Sequence, residues 1–199
     1  MVPSDVTYEV ASATVKSGGL IAYPTDTVYG LGCDPKNETA VDRLFMVKGR
    51  GTKPVPVLCS SMDVAKSLVD LGPLGKELAE RFWPGALTIV APMVVGLPEK
   101  IHQGSRTLGV RVPSSAVCLT LLERCGGFLT GTSANRSGAP SCRSAEEVLD
   151  QLDGSIDLVV DGGLLEGEAS TVVSVMGGEL TILRTGPVRV PDELMRRRT

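Results

Sequence analysis

Polar side chains crowd the segment from residue 131 to residue 141, where core packing does not require them. The segment carries four hydroxyls, one amide and one guanidinium, and it contains Gly131 and Gly138. It follows an apolar run typical of a strand and precedes a predicted helix at Ser144, and open α/β sheets bind ligands at such strand ends. The chain contains no P-loop motif. We therefore expect an anion or nucleotide site of another design.

A group of cations follows a predicted helix, at Lys48, Arg50 and Lys53. Gly49 and Gly51 loosen the backbone there, so the cations can converge. Converging cations suit a polyphosphate, because arginine binds it as a fork and lysine as a point charge. The alternative is that these cations only stabilise the preceding helix by interacting with its dipole, an effect of about 0.3–1 kcal/mol at a surface.

Arg111 lies inside the apolar pattern of a predicted strand. Because burying a lone charge is costly, its guanidinium must either pair with an internal carboxylate or receive a carboxylate from a ligand. The pattern leaves both possibilities open.

Another polar turn, with Asp26 between Thr25 and Thr27, follows a predicted strand over residues 20–23. Its oxygens could contact a ligand. Alternatively, Asp26 could form an Asx-type hydrogen bond that only stabilises the turn.

Ser170 and Arg184 stand at the two ends of a predicted β-hairpin. Residues 170–176 and 179–183 alternate across two adjacent glycines, which indicates a two-residue turn. Antiparallel pairing brings residues equidistant from the turn close together, so Ser170 and Arg184 could line one wall of a pocket. The alternative is an exposed arginine at a strand end.

The candidate residues together are cationic and rich in hydroxyls. They include no pair of catalytic carboxylates, no histidine or cysteine nucleophile and no metal-ligand cluster. His102, the single histidine, falls in a segment that we predict to be a loop. The pattern favours a concave basic pocket that acts on a phosphorylated ligand by positioning and electrostatics.

The composition fits one α/β domain. The 199 residues are 42% hydrophobic and 22% charged, with a core expected over residues 5–190 and a basic tail over residues 191–199. A net charge of -3 and 4% aromatics disfavour general nucleic-acid binding and base stacking. Five scattered cysteines, no leader pattern and no apolar run of membrane length predict a reduced, cytoplasmic protein.

The predicted elements form a twisted mixed β-sheet with flanking helices. Periodicity and capping residues predict helices over residues 5–17, 37–46, 61–70, 74–82, 114–124 and 144–152. Strands are predicted over residues 20–23, 54–59, 86–91, 108–112 and 158–160, besides the terminal hairpin. Prolines at the start of the 54–59 strand suggest an edge-like beginning.

Seven short motifs resemble the YrdC/Sua5 family, whose members are threonylcarbamoyl-AMP synthases, and they occur in that family's order. They are Pro24–Gly32, Lys48–Arg50, Trp83–Thr88, Gly109–Pro113, Ser133–Gly138, Ser170–Val173 and Ile182–Arg184. The resemblance covers about residues 20–186 and is closest to the short, single-domain YrdC type. It departs from the family near Lys53, where the chain is one residue shorter, and near Leu58, where some members carry a ligand-contacting histidine.

The resemblance implies a reaction of L-threonine, bicarbonate or CO2, and ATP that gives threonylcarbamoyl-AMP and pyrophosphate for the t6A modification of tRNA. Thr27 and Ser170 would contact threonine, and Arg111 would bind its carboxylate. Lys48 and Arg50 would be catalytic, and Mg²⁺ would be held mainly by the ATP phosphates. ATP would contact Lys48, Arg50, Lys53, Thr107, Ser133, Asn135, Ser141 and Arg184. Partners would be tRNA or a downstream threonylcarbamoyl-transferase complex, with no membrane.

Two other functions remain open at the level of sequence. A non-catalytic module could bind double-stranded RNA or tRNA with the same basic concavity, because such RNA can be read by shape and phosphates alone. The second of these functions is that of a carbamoyl-adenylate transferase module, since the same fold occurs within larger carbamoyltransferases. An assay of threonylcarbamoyl-AMP formation from ATP and bicarbonate, with and without L-threonine, separates these two functions from that of a synthase.

Overall fold

The computed structural model describes residues 3–49, 51 and 53–195. Six of the described helices lie close to the predicted ones, and polar side chains begin most of these six: Asn37, Ser61, Ser115 and Ser144 each accept a hydrogen bond from a backbone N–H in the first turn. The helices are α1 (Asp5–Lys16), α2 (Glu38–Lys48), α3 (Met62–Leu68), α4 (Gly72–Phe82), α5 (Glu99–His102), α6 (Ala116–Arg124), α7 (Ala145–Leu152) and α8 (Asp192–Met195). The predicted loop around His102 is wrong, because His102 ends the short helix α5.

The strands confirm the mixed α/β class and divide into two sheets. The strands are β1 (Ile21–Tyr23), β2 (Gly30–Gly32), β3 (Val57–Cys59), β4 (Leu87–Pro92), β5 (Thr107–Arg111), β6 (Phe128–Thr130), β7 (Thr132–Ser133), β8 (Leu158–Val159), β9 (Thr171–Ser174) and β10 (Thr181–Arg184). The first sheet has the order β7-β2-β1-β8 and the second the order β10-β9-β4-β5-β3-β6, and each combines parallel with antiparallel pairs.

The edge-like start predicted for β3 is not found. This strand lies between β5 and β6, inside the larger sheet. Its ladder begins at Val57, directly after Pro56, so neither proline of the preceding segment has to donate a hydrogen bond within it.

The two sheets meet at Gly131, between β6 and β7. Its N–H donates to the Pro56 carbonyl at 2.8 Å. A Cβ at this position would lie 2.5 Å from Cγ of Leu58, so the close approach requires glycine. The chain thus passes from the larger sheet to the smaller one immediately before the polar loop of residues 133–141.

The terminal hairpin forms between β9 and β10, with Ser174 opposite Thr181. Its connection is longer than predicted, because a short 3₁₀ turn over Met176–Gly178 replaces a two-residue turn. The hairpin lies at one side of the larger sheet, where β9 pairs in parallel with β4.

The packed core extends beyond the predicted limit at residue 190. Leu194 in α8 is fully buried, and Glu193 pairs with Arg81 of α4 at 3.0 Å. Only the end of the predicted tail, with Arg196 to Arg198, lies outside the described residues. Among the helices of the described ranges, none is long and apolar enough to cross a membrane.

Candidate functional site

Lys48 joins the end of α2 to the polar loop. Its side chain is buried, and Nζ donates to the Ser133 carbonyl at 2.5 Å, the Asn135 carbonyl at 2.6 Å and Asn135 Oδ1 at 3.1 Å. The Lys48 carbonyl in turn accepts from the N–H of Ser137 at 2.9 Å. Gly49, with φ 55°, ends the helix just before Arg50, which lies outside the described residues. The structure therefore brings Lys48 together with two of the predicted nucleotide contacts, Ser133 and Asn135.

The polar loop is held in shape by its own amide side chain. Asn135 is buried, and Nδ2 donates to the carbonyls of Arg136 and Ala139, at 2.9 and 2.6 Å. Its Oδ1 accepts from the Ser133 hydroxyl at 2.5 Å. The prediction of a polar loop after a strand end is confirmed, and the loop is internally ordered by hydrogen bonds.

Tyr29 fixes both ends of this loop. Its carbonyl accepts from the N–H of Ala134 at 2.8 Å, and its N–H donates to the Cys142 carbonyl at 2.9 Å. Ser141, predicted to contact nucleotide, precedes that second anchor and is half-buried. The loop is thereby tied to the motif that also contains Asp26 and Thr27.

Arg111 pairs with an internal carboxylate, which is the first of the two possibilities that the sequence leaves open. Its Nη2 lies 2.5 Å from Asp26 Oδ1, Nη1 donates to Thr27 Oγ1 at 3.2 Å, and Nε donates to the Gly85 carbonyl at 2.8 Å. The side chains of Arg111 and Asp26 are only 5% and 13% exposed. Within the described part of the chain, these contacts use three of the five guanidinium N–H groups and leave two for a ligand.

Among the residues that the structure describes, hydroxyls rather than an Asx-type bond build the turn around Asp26. The Thr25 hydroxyl donates to the Val28 carbonyl at 2.7 Å and accepts from the N–H of Thr27 at 3.1 Å. Because the Thr25 proton is already used, the 2.9 Å contact between the two hydroxyls has Thr27 as its donor. The Thr27 oxygen also accepts from Arg111, so its remaining capacity is that of an acceptor.

Ser170 and Arg184 lie in contact, as the hairpin predicted. The Arg184 guanidinium donates to the Ser170 carbonyl through Nε and Nη2, at 3.0 and 2.7 Å, and Nη2 also reaches the Ser170 hydroxyl at 3.1 Å. Part of the Arg184 side chain remains exposed. Burial of the rest, followed by the positive charge of Arg111, lowers the pKa of Arg184.

Thr88 contacts Ser170 from the strand next to that of Arg111. Its hydroxyl lies 2.9 Å from the Ser170 hydroxyl. The antiparallel pairing of Ile89 with Val110 places Thr88 beside Arg111, one residue further along the ladder. Thr88 lies in one of the seven motifs, but its role cannot be predicted from the sequence, because its partner is 82 residues away.

Thr107 lies at the far end of β5 from Arg111, and Lys53 lies on the segment before β3. Thr107 pairs with Pro92 at the other end of β5, four residues from Arg111, which is about 13 Å along a strand. Its hydroxyl lies 2.9 Å from that of Ser105. Lys53 is exposed on the segment that precedes β3. The ligand contacts assigned to these two residues stay predictions.

Several kinds of chemistry find no support around these side chains. Burial raises the pKa of the Cys33 and Cys59 thiols to about 12, so both are protonated at neutral pH. Within residues 3–49, 51 and 53–195, no three His, Cys, Asp or Glu side chains lie close enough to hold a metal. Surface clefts of about 360 and 260 Å³ lie elsewhere, beside α5 and α1. The side chains around Lys48, Arg111 and Arg184 include cations and hydroxyls. That they line a concave basic pocket stays a prediction.

Comparison with known families gives one match over most of the chain. The model of the Sua5/YciO/YrdC family, described as "telomere recombination", matches residues 13–186. A threonylcarbamoyl-AMP synthase of Pyrococcus abyssi is 38% identical over 180 residues, which are 89% of this chain and 53% of that protein. The chain therefore spans about half the length of this relative.

Solved structures share the fold. Sua5 of P. abyssi, described in complex with L-threonine, superposes with a TM-score of 0.86 at 37% identity, over 90% of this chain and 54% of that one. Escherichia coli YciO superposes with a TM-score of 0.85 at 26% identity, over 92% and 91% of the two chains.

Proposed function

The chain belongs to the Sua5/YciO/YrdC family, and we propose that it is an L-threonylcarbamoyladenylate synthase, a nucleotidyltransferase. It would form threonylcarbamoyl-AMP and pyrophosphate from L-threonine, bicarbonate or CO2, and ATP. The observation that carries the proposal is that Arg111 donates to Thr27, while Ser170 contacts Thr88 on the strand paired with that of Arg111. Thr27, Arg111 and Ser170 come from three separate motifs. The similarity to a P. abyssi protein described in complex with L-threonine supports it.

The reaction requires no nucleophile from the protein. The amine of threonine adds to CO2 and loses a proton, which gives a carbamate. A carbamate oxygen then bonds to the α-phosphorus of ATP while the bond from that phosphorus to the bridging oxygen breaks, and pyrophosphate leaves. The enzyme must align these groups and neutralise their charge, which suits a site of arginines, lysines and hydroxyls.

Arg111 would bind the threonine carboxylate through its two remaining N–H groups. Asp26 and the Gly85 carbonyl hold the guanidinium in place. Thr27 would accept a hydrogen bond from the amine or hydroxyl of the substrate, because its own proton is donated to Thr25. Ser170 would complete this side of the site.

ATP would lie between the polar loop and the terminal hairpin. Ser133, Asn135 and Ser141 would contact the nucleotide, and Arg184 would face it from β10. Arg50 and Lys53 would neutralise the phosphates, and Thr107 would also contact ATP. Because the described residues offer no acidic cluster, Mg²⁺ would be held mainly by the phosphates, where it would withdraw charge from the leaving group.

The product would serve tRNA modification. We propose that a threonylcarbamoyl-transferase complex takes it up in the cytoplasm, and that tRNA enters at that later step.

The test of the proposed function is pyrophosphate release with ATP and bicarbonate, with and without L-threonine. The proposal predicts release that depends on threonine and falls at least tenfold in Arg111→Met, because a charged hydrogen bond contributes about 1.5–3 kcal/mol. Lys76→Met, an exposed lysine of α4, is the matched control and should keep full activity. Release that is independent of threonine would contradict the synthase. Binding of tRNA without any product would favour the RNA-binding module.

A further inference from the structure

Lys48 contacts the polar loop through both its side chain and its backbone carbonyl. Its ammonium donates to three oxygens of Ser133 and Asn135, and its backbone carbonyl accepts from the N–H of Ser137. The side chain is only 3% exposed. The last residue of α2 thus holds the segment that bears two of the proposed nucleotide contacts.

If the Lys48 ammonium moved onto a phosphate, hydrogen bonds inside the protein would be lost. The carbonyls of Ser133 and Asn135 accept from Nζ at 2.5 and 2.6 Å, and both would lose a charged donor. Asn135 Oδ1 would lose one of its two donors, Lys48 and the Ser133 hydroxyl. The loop would lose three of the hydrogen bonds that hold its shape at the moment when it has to bind the ligand.

We propose that Lys48 is a positioning residue, which holds the 133–137 loop in the shape that binds the nucleotide instead of binding phosphate itself. This inference rests on the proposed function for the identity of the ligand. The attachment of the loop to Lys48 can also be tested without any ligand.

The two roles predict different nucleotide preferences. A lysine that binds the β- or γ-phosphate contributes to the affinity for ATP and not to the affinity for AMP. In this proposal Ser133 and Asn135 contact the AMP part of the nucleotide, which ATP shares, so a lysine that shapes their loop contributes to both affinities. The ratio of the two affinities therefore distinguishes the roles.

The experiment compares Lys48→Met with wild type and with Lys76→Met, and measures the Kd of ATP and of AMP by calorimetry. The proposal predicts that Kd rises about tenfold or more for both nucleotides and by the same factor, whereas Lys76→Met changes neither. A weaker affinity for ATP alone would overturn the proposal and make Lys48 a phosphate ligand. Unchanged affinities for both would overturn it as well.

Amide hydrogen exchange in the absence of ligand gives an independent readout. The proposal predicts faster exchange at the N–H of Ser137 and Ala139 in Lys48→Met than in wild type, with unchanged exchange in α6. If wild type binds neither nucleotide, the proposed function fails, and faster exchange in the loop still supports the attachment. Equal exchange in the two proteins would overturn it.

Lys48→Gln covers the case in which Lys48→Met does not fold. Its amide keeps two N–H donors but cannot reach all three oxygens, so it should weaken ATP and AMP binding equally and by a smaller factor than the methionine variant. A glutamine variant that lowers only the affinity for ATP would overturn the proposal.

Discussion

At the scale of single residues, the buried ion pair of Arg111 and Asp26 is the feature that orders the threonine side of the proposed site. A buried arginine is stabilised only by close acceptors, and here these are a carboxylate, a hydroxyl and a backbone carbonyl. The sequence shows that Arg111 needs a partner, but it cannot identify Asp26, which lies 85 residues away in the chain.

Asp26→Asn tests this pair. The substitution keeps an oxygen acceptor but leaves the guanidinium without a counter-charge, so we expect the free energy of unfolding to fall by about 1–3 kcal/mol. Since the guanidinium would be held less firmly, the KM for L-threonine should rise more than the KM for ATP.

Denaturant unfolding and initial rates measure the two effects. Asp63→Asn is the matched control, because Asp63 is 94% exposed and lies 3.6 Å from Lys66. Such a surface pair contributes little, so this variant should behave as wild type. Equal effects of the two substitutions would contradict the role given to Asp26.

At the scale of elements, the crossing between the two sheets positions the polar loop. The chain leaves β6, passes Gly131 and enters β7, after which the loop begins. The loop is then held by Lys48 at the end of α2 and by Tyr29 beside β2. A change at the crossing should therefore affect both stability and nucleotide binding.

Gly131→Ala tests the crossing. The added Cβ would lie 2.5 Å from Leu58 Cγ inside the packed sheet, so we expect a loss of about 1–3 kcal/mol in the free energy of unfolding and weaker ATP binding. Gly96→Ala is the control, because its Cβ would meet no atom within 4 Å. Thermal unfolding of the two variants gives the comparison, and equal Tm values would refute the steric argument.

The sequence predicts the long elements well and the short strands poorly. Helices such as α2 and α7 carry a capping residue and a regular apolar face, so their periodicity is visible. β2 has three residues, two of them glycine, and β7 has two polar residues, so neither shows an alternating pattern. Without them, the division of the strands into two sheets could not be predicted. The contact between Ser170 and Arg184 was predictable, because a hairpin is a local structure.

At the scale of the whole molecule, the cysteines report on the packing. Four of the five are buried and Cys125 is half-buried, and all are free thiols. Burial raises the pKa of Cys33 and Cys59 to about 12, and of Cys125 and Cys142 to about 11. In the folded protein, thiolate is therefore scarce at pH 8, and it becomes abundant only as the pH rises towards these values.

Thiol labelling at pH 8 tests this packing. We expect iodoacetamide to modify the native protein slowly, with Cys125 first, and all five thiols to react rapidly in denaturant. Peptide mass mapping identifies the labelled positions. Labelling of Cys33 or Cys59 in the native protein at the rate seen in denaturant would contradict the core described above.

The length of the chain limits what its relatives imply. It spans 53% of the P. abyssi synthase and matches the family model over residues 13–186. The residues proposed to bind threonine and nucleotide all lie within those matched residues. We therefore expect the region that this chain shares with its relatives to carry out the reaction itself.

The most direct test of this account follows the carbon of bicarbonate into the product. The protein would be incubated with ¹³C-bicarbonate, ATP, Mg²⁺ and L-threonine. The products would then be separated, and their masses would be measured by mass spectrometry. The account predicts a labelled threonylcarbamoyl-AMP that forms only when all the substrates are present and that accumulates together with pyrophosphate. Pyrophosphate or AMP without this labelled product would contradict the proposed function.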